Sequence, residues 1–434
     1  MTAVASEGAP INTTAAADRT VTAARPARDV LASRYREVRA FTEALAEPLS
    51  PEDQTVQSMP DVSPTKWHRA HTSWFFETFL LRPHLPGYRP FHPDYAYLFN
   101  SYYEAAGPRY ARARRGCVSR PGCAEIAGYR AHVDAHMGQL LGAEATGDPA
   151  VAALVELGLN HEQQHQELLL MDIKHVLSLT PLDPVYAPAA GRPEGAPGGR
   201  PGWMGHDGGV VSVGHDGNGF AFDNEGPAHE VLLQPFALAD RLVTCGEWME
   251  FMADGGYRTA GLWLSDGWAA VQAEGWEAPL YWDLDGGTWT VFTLNGRRPV
   301  DPAEPVCHVS YFEADAFASW YGARLPTEFE WEALAATSPV EGQLADPARA
   351  HPAPASGLFG QAWAWTSSAY LPYPGFRPAP GAVGEYNGKF MVNQHVLRGG
   401  SCATPEGHVR ATYRNFFPPG ARWPFTGVRL ARDS

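Results

Sequence analysis

Residues 148–178 read DPAVAALVELGLNHEQQHQELLLMDIKHVLS, a stretch that decides the architecture of the first half of the chain. Asp148 suits the cap of a helix and Pro149 suits its first turn, because the first N–H groups of a helix have no partner within it. The apolar residues that follow keep to a helical pattern: Leu154, Leu159, Leu169 and Ile173. We therefore predict one long helix that begins at Asp148.

Three further segments with the same period, 29–45, 63–82 and 126–140, predict helices. The second of them opens with Ser63 as its cap and Pro64 in its first turn. Four such helices joined by loops indicate a helix bundle over residues 29–180. Residues 1–28 are rich in Ala and Thr, and we expect them to form a disordered tail.

The sequence changes character after the Pro/Gly-rich stretch 181–202, which we interpret as a linker. All but two of the 14 tryptophans follow residue 200, and Gly and Pro interrupt nearly every short segment. Within 203–434, only 313–321 and 328–336 look helical. This domain is therefore expected to consist of short strands and long ordered loops, which makes the fold class α+β.

The composition is that of an ordinary globular protein, with 44% hydrophobic and 19% charged residues. A formal net charge of −15 argues against nucleic acid or an anionic membrane as a partner. Five cysteines are too few, and odd in number, for a disulfide framework. No apolar run reaches the length that a bilayer requires, so we expect a cytoplasmic protein.

Two histidine pairs have the spacing that a metal site on one helix requires: His161 with His165, and His132 with His136. Residues four apart lie on the same face of a helix, so either pair can reach one ion. A third ligand would come from the second predicted helix, where His68 and His71 compete. Spacing alone leaves both choices open.

The segment His161-Glu162-x-x-His165 also fits the H-E-x-x-H pattern of zinc proteases, in which the glutamate is the general base. No third ligand is evident at the spacing expected downstream of that pattern. An H-E-x-x-H zinc metalloprotease is therefore the alternative function.

Both halves resemble the sulfoxide synthases of ergothioneine biosynthesis. Segment 63–77 (SPTKWHRAHTSWFFE) resembles the helix with the first iron ligand in that family, and 158–167 (GLNHEQQHQE) resembles the segment with the other two. The second half is similar to formylglycine-generating-enzyme-type domains, a variant of the C-type lectin fold. The motifs that carry this similarity are Phe222-Asp223-Asn224-Glu225, Arg324-Leu325-Pro326-Thr327-Glu328, Trp363-Ala364-Trp365-Thr366, Leu397-Arg398-Gly399-Gly400-Ser401 and Gly427-Val428-Arg429-Leu430-Ala431.

The resemblance implies a DinB-like four-helix bundle followed by a formylglycine-generating-enzyme-type domain, with iron at their junction. It assigns His71, His161 and His165 as the iron ligands, and it leaves the other histidines named above as ordinary helix residues. The implied reaction uses Fe(II) and O2 to join hercynine (Nα-trimethylhistidine) to the sulfur of γ-glutamylcysteine or cysteine as a sulfoxide. Neutral nitrogen ligands suit Fe(II), and a substrate thiolate adds a soft ligand.

The resemblance also implies how the thiol side of the site is built. Ser101-Tyr102-Tyr103-Glu104 is similar to a branch of the family in which a Tyr-Tyr pair donates a proton, so Tyr102 and Tyr103 are the candidate catalytic residues. Arg112 and Arg115 match an Arg-x-x-Arg-Gly pattern that holds the carboxylate of the thiol substrate. Guanidinium groups suit this task because they offer paired donors to a planar anion.

For hercynine, the resemblance points to Gln164 and Asn415. Asn415-Phe416-Phe417 stands where the better-known branch has Asn-Trp-Asp, so an acidic residue is missing here. We therefore expect Phe416, Phe417 or Trp423 to face the trimethylammonium group through cation–π attraction.

Two other classes of function compete with this one. A formylglycine-generating oxidase would need a pair of cysteines, and Cys245, Cys307 and Cys402 lie in surroundings that do not resemble that site. A non-catalytic lectin-like binding protein is also compatible with the fold, because a fold does not determine function. The complete set of three histidines argues against both.

Overall fold

The computed structural model describes residues 14–142, 148–189 and 199–434. Residues 1–13 of the expected tail and 190–198 of the expected linker lie outside these ranges. The helices of the first half are α1 (Thr14–Ala46), α2 (Thr65–Phe76), α3 (Arg82–His84), α4 (Tyr95–Leu98), α5 (Cys123–Gly142) and α6 (Pro149–Ser178).

The long helices α1, α2, α5 and α6 pack around one apolar core, which confirms the predicted bundle. Asp148 caps α6 through its carboxylate, which accepts from the backbone N–H of Ala150, as the sequence predicts. α1 begins at Thr14, earlier than the predicted start at residue 29. The described helix includes residues 14–28, which fall within the expected N-terminal tail.

The second helix differs from the prediction at both ends. Its N-cap is Pro64 and not Ser63, because the Ser63 hydroxyl accepts a hydrogen bond from Arg115 instead of capping the helix. At the other end a π-helical turn, Glu77–Leu81, joins α2 to α3, so the helical run passes the predicted stop before Pro83. Insertions of this kind are frequent at functional sites.

The second half is built from short strands. They are β1 (Trp203–His206), β2 (Gly209–Val213), β3 (His229–Leu233), β4 (Phe236–Ala239), β5 (Trp282–Asp285), β6 (Thr288–Thr293), β7 (Gly296–Pro299), β8 (Gly342–Gln343), β9 (Phe359–Gly360), β10 (Trp363–Ala369), β11 (His395–Arg398), β12 (Asn415–Phe417), β13 (Thr426–Gly427) and β14 (Ala431–Asp433). The largest sheet has the order β12-β11-β10-β13, and the first and last strands share the sheet β1-β4-β14. The expectation of short strands and long loops is confirmed.

The helices of this half are α7 (Cys245–Ala253), α8 (Ser265–Glu274), α9 (Tyr311–Tyr321) and α10 (Glu328–Ala335). The last two were predicted, but the expectation that this half has no other clear helix is wrong. α7 carries a start signal that the prediction missed, since Thr244 and Glu247 form a reciprocal capping box. α8 ends at Gly275 in the left-handed conformation, a common helix stop.

α6 joins the two halves. Glu167 accepts hydrogen bonds from Trp363, Ser401 and Thr404, all of the second half. The opposite face of α6 packs on α1, where Gln166 donates to Thr42. α6 is therefore fixed on one side by the second half and on another by α1, and it carries the candidate functional site. None of the helices in the described ranges is long and apolar enough to cross a membrane.

Candidate metal centre

His71 on α2 and His161 and His165 on α6 form one buried cluster. Their ligand atoms lie within 4.8 Å of one another, and the Nε2 atoms of His71 and His161 are 3.2 Å apart. Two nitrogens bound at a right angle to one metal, each at about 2.1 Å, would be separated by about 3 Å. The spacing therefore matches that of two adjacent ligands of a single ion.

Hydrogen bonds fix which nitrogen of each imidazole faces the cluster. The Nδ1–H of His71 donates to the Phe99 carbonyl, so its Nε2 carries the free lone pair. Nδ1 of His165 lies 2.8 Å from Nδ1 of His68, whose Nε2 is 3.0 Å from the Asp172 carboxylate. When Nε2–H of His68 donates to Asp172, Nδ1 of His68 accepts from Nδ1–H of His165. Nε2 of His165 then keeps its lone pair for a metal.

The family resemblance predicts that His68 is an ordinary helix residue. The structure instead places it against His165, where its hydrogen bond orients a member of the cluster. His132 and His136 match that expectation better. They lie on α5 among Tyr88 and Phe91, and their ring nitrogens contact the carbonyls of Arg89 and His132. The metal-binding arrangement among the described residues includes neither of them.

Burial keeps the three imidazoles neutral. It lowers the pKa of His161 to about 3 and lowers the pKa of His71 and His165 well below the usual range. Proximity to His161 lowers the pKa of the other two further. Nδ1 of His161 is buried without a hydrogen-bond partner. Three neutral nitrogen donors that face one point suit a divalent transition metal.

Glu162 points away from the histidines. It is fully buried, and its carboxylate accepts from Arg39, Arg130 and Thr42 at 2.7–3.0 Å. Burial opposes ionisation of this carboxylate, but the two guanidinium groups outweigh burial and lower its pKa. A carboxylate held in this way cannot act as the general base that the H-E-x-x-H pattern requires. This geometry argues against the zinc protease.

Tyr102 and Tyr103 belong to a cluster of three tyrosines. Their rings stack with centroids 4.6 Å apart, and their hydroxyl oxygens are 3.5 Å apart. Tyr103 also packs on Trp74, which stacks on His71. The third member, Tyr386, has its ring 6.4 Å from Tyr102 and 5.7 Å from His161.

Sequence reasoning missed Tyr386. It lies in a loop of the second half, more than 200 residues from α6, and no spacing rule links it to the histidines. Its neighbour Glu385 accepts from the backbone N–H groups of Glu104 and Ala105, at 2.9 and 2.8 Å. Lys389 pairs with Glu385 and donates to the Tyr102 carbonyl. These contacts clamp the loop of Tyr386 to the loop of Tyr102.

Gln164 lies beside the same cluster. Its side-chain carbonyl accepts from the Tyr386 hydroxyl, and its amide donates to the Tyr413 hydroxyl at 2.8 Å. His408 extends this network, since its ring nitrogens lie 3.3 Å from the Tyr413 hydroxyl and 3.2 Å from the Asn160 side-chain oxygen. Neither Tyr413 nor His408 was predicted.

Asn415, Phe416 and Phe417 form the edge strand β12 and are all half-buried. Phe416 stacks on Tyr370 with centroids 4.0 Å apart, and Phe417 packs edge-on against Trp423. Gln164, by contrast, is hydrogen-bonded to Tyr386 of the tyrosine cluster. Within the described residues, the side-chain hydrogen bonds of Gln164 go to Tyr386 and Tyr413 and not to these three residues.

The two arginines differ in their surroundings. Arg115 is buried, its guanidinium lies 3.3 Å from the centre of the Trp67 ring, and Trp67 stacks on His71. Burial lowers the pKa of Arg115, and the neighbouring Arg112 lowers it further. Arg112 is exposed and donates to the Asp61 carbonyl. Neither forms an ion pair with an acidic residue of the described chain, so both remain available to an anion.

The cysteines of the second half do not form an accessible pair. Cys245, Cys307 and Cys402 are buried free thiols. Burial raises the pKa of Cys307 to about 12 and raises the pKa of the other two well above the usual range. Protonated thiols that a protein substrate cannot reach argue against a formylglycine-generating oxidase.

Comparison with known proteins identifies both halves. The DinB superfamily matches residues 34–169, and the sulfatase-modifying factor enzyme 1-like domain matches residues 200–346 and 343–434. A formylglycine-generating enzyme of Thermomonospora curvata is 35% identical over 133 residues, which cover 28% of this chain and 44% of that protein. The fold class expected from the resemblance is confirmed.

Two relatives match almost the whole chain. The hercynine oxygenase of Mycolicibacterium smegmatis is 36% identical over 418 residues, which cover 87% of this chain and 92% of that protein. The hercynine oxygenase of Mycobacterium tuberculosis is 34% identical over 409 residues, which cover 86% and 92%. The chain therefore belongs to the hercynine oxygenase family.

Proposed function

We propose that this protein couples the imidazole ring of hercynine to the sulfur of γ-glutamylcysteine or cysteine, with Fe(II) as cofactor and O2 as oxidant. The observation that carries the proposal is the buried cluster of His71, His161 and His165, which offers three neutral nitrogens to one ion. Membership of the hercynine oxygenase family supplies the reaction class. The free thiols of all five cysteines agree with action in a reducing cytoplasm.

The reaction balances without another reductant. An imidazole C–H and a thiol S–H are lost, a C–S bond forms, one oxygen atom of O2 becomes the sulfoxide oxygen and the other leaves as water. An Fe(II) ion held by the three histidines would supply the redox chemistry that O2 requires, with room for a thiolate ligand. The protein must place both substrates beside the histidines and direct oxidation to C–S bond formation.

The thiol substrate is proposed to bind on the side of His71. Arg115 lies over Trp67, which stacks on His71, and its Nε atom is buried without a partner. A carboxylate there would gain charge-assisted hydrogen bonds and relieve the cost of a buried unpaired cation. Arg112, which is exposed, would add a second positive charge at the solvent side of this site.

The tyrosine cluster is proposed to deliver a proton to the oxygen side of the reaction. Burial raises the pKa of Tyr102, Tyr103 and Tyr386, so each phenol stays protonated and can donate. Tyr386 is the member in ring contact with His161, and its ring also packs edge-on against Tyr102. We propose Tyr386 as the donor nearest to the reaction, alongside the two tyrosines expected from the sequence.

Hercynine is proposed to bind on the side of His161. Gln164 directly precedes His165 on α6. Its side chain is hydrogen-bonded to the hydroxyl groups of Tyr386 and Tyr413. Asn415, Phe416 and Phe417 would close this side from β12. Phe416 already stacks on Tyr370, with ring centroids 4.0 Å apart, and on Phe390, with ring centroids 6.1 Å apart.

The test is a product assay on anaerobically purified protein loaded with Fe(II). The protein receives hercynine with either thiol, O2 consumption is recorded, and products are identified by mass spectrometry. We expect a hercynyl-thiol sulfoxide whose formation requires both substrates and O2, with the preferred thiol given by kcat/KM. Iron-loaded protein that makes no coupled product with either thiol would overturn the proposed substrate pair.

A further inference from the structure

Asp223 lies against the loop of Tyr386, and one of its two carboxylate oxygens has no hydrogen-bond partner within the described residues. Its Oδ1 accepts from the side-chain amide of Asn387 at 2.6 Å, whereas its Oδ2 is shielded from solvent and has no hydrogen-bond partner. Burial is the largest cause that raises the pKa of this carboxyl group. A buried acceptor left without a partner is costly, so its retention calls for an explanation.

The cations near Asp223 are committed to other acidic groups. Arg410 pairs with Glu225, and Lys389 pairs with Glu385. Arg414 pairs with Glu328. Within the described ranges, no Lys, Arg or His forms an ion pair with Asp223. Its charge is therefore open to a cation that comes from outside the chain.

Asp223 also faces the space that the proposed reaction uses. The Asp223 carboxylate accepts from Asn387, the residue that follows Tyr386, so Asp223 lies against the loop of Tyr386. The preceding residue, Phe222, stacks on Tyr386 with centroids 5.4 Å apart. Tyr386 in turn contacts His161. Aromatic faces beside a carboxylate form a favourable environment for an organic ammonium group.

We propose that Asp223 binds the ammonium group of a substrate. This inference rests on the proposed function, in which both substrates carry such a group: the trimethylammonium of hercynine and the primary amine of the thiol substrate. It supplies an acidic residue for a site whose β12 sequence, Asn415-Phe416-Phe417, has none. Which ammonium binds is decided by experiment.

The test compares wild type with Asp223→Asn, which removes the charge and keeps the shape. KM for hercynine and for the thiol is measured with the other substrate saturating. We expect KM for one of them to rise about tenfold or more, as for a partly desolvated charge pair. A rise for hercynine assigns the trimethylammonium group, and a rise for the thiol assigns the primary amine. Unchanged values for both would overturn the proposal.

Asp216→Asn is the matched control, because Asp216 is an exposed carboxylate seven residues away whose hydrogen bonds, within the described ranges, are to Asn218. We expect both KM values to stay at the wild-type level in this variant. An equal shift in both variants would overturn the proposal, since it would reflect net charge alone.

Analogues without the ammonium group give a second test that needs no variant. Imidazolepropionate lacks the ammonium group of hercynine, and mercaptopropionate lacks the amine of cysteine. If wild-type protein binds both analogues as tightly as the parent substrates, measured as competitive inhibition, the proposal is wrong. Wild-type protein that makes no sulfoxide would instead count against the proposed function, so the two failures are distinguishable.

Discussion

At the residue scale, two of the three histidines of the cluster depend on a hydrogen-bond partner outside it. The Phe99 carbonyl orients His71, and the chain Asp172–His68 orients His165. Such partners fix the tautomer and the ring angle of metal ligands, and their loss typically weakens metal binding by about 10- to 100-fold. His161 is the member without such a partner on Nδ1, so the surrounding rings hold it by packing, with Phe75 at 4.7 Å.

The tyrosines allow a prediction at the same scale. Tyr386→Phe removes only a hydroxyl, so we expect normal iron binding with coupled product reduced about 100-fold or more, the usual contribution of a positioned acid. Thiol oxidation without coupling should then dominate. Tyr102→Phe and Tyr103→Phe should have smaller effects, because among the three tyrosines of the described cluster Tyr386 is the one in ring contact with a histidine. A Tyr386→Phe enzyme with wild-type product ratios, read by mass spectrometry, would contradict this role.

At the element scale, the close approach of α2 and α6 brings the ligands together. A Cβ atom at Gly158 would lie 2.6 Å from the ring of Phe76 and 3.0 Å from that of Phe75, both buried. We expect Gly158→Ala to lower the free energy of unfolding by about 1–3 kcal/mol, as overpacking does, although Ala favours helix. Iron affinity should fall as well. The added methyl group pushes α2 and α6 apart at a point only one helical turn from His161.

Gly138→Ala on α5 is the control for that substitution, since a Cβ there meets no atom within 4 Å. It should leave iron affinity unchanged and stability equal or slightly higher. Denaturant unfolding and iron titration of both variants measure the contrast. A Gly158→Ala protein as stable as wild type, with full iron affinity, would show that the helix spacing is not critical.

The clamp between the two tyrosine loops gives a further prediction. Glu385→Ala should release the backbone of residues 104 and 105, lowering kcat for coupling by about 3- to 10-fold through misplacement of the tyrosines. Iron binding should not change, because the clamp does not contact the histidines. Glu104→Ala, which removes an exposed carboxylate paired with Arg109, should behave as wild type. Equal kcat values in the two variants would rule out a positioning role.

The long helices of the first half were predictable because they follow from helical periodicity within one element, but periodicity offered two histidine pairs and did not choose between them. The third ligand was not predictable either, since spacing alone did not separate His71 from His68, and the family resemblance made that choice. The roles of Tyr386 and Asp223 could not be predicted from local pattern. Loops of the second half carry both residues to α6, and only tertiary contacts bring them there.

At the scale of the whole molecule, the site exists only where the halves meet. Glu167 is the main polar link, with both carboxylate oxygens buried against Trp363, Ser401 and Thr404. Glu167→Ala removes the shared acceptor of three buried donors, so we expect a loss of about 2–4 kcal/mol in unfolding free energy. Gln163→Ala, which removes a single 3.3 Å bond to the Glu406 carbonyl, should cost less than about 1 kcal/mol.

Thermal unfolding of both variants measures this difference. Because the proposed hercynine site draws on both halves, Glu167→Ala should also raise KM for hercynine. Equal stability of the two variants would show that Glu167 does not hold the halves together.

The most direct measurement is an anaerobic Fe(II) titration of wild type, His161→Ala and His132→Ala, each followed by the coupling assay. Our account predicts one tightly bound iron per chain in wild type and in His132→Ala, both active. It predicts that His161→Ala loses tight binding and coupling together. If His161→Ala binds one iron as tightly as wild type and still forms the sulfoxide, the histidine cluster is not the catalytic centre.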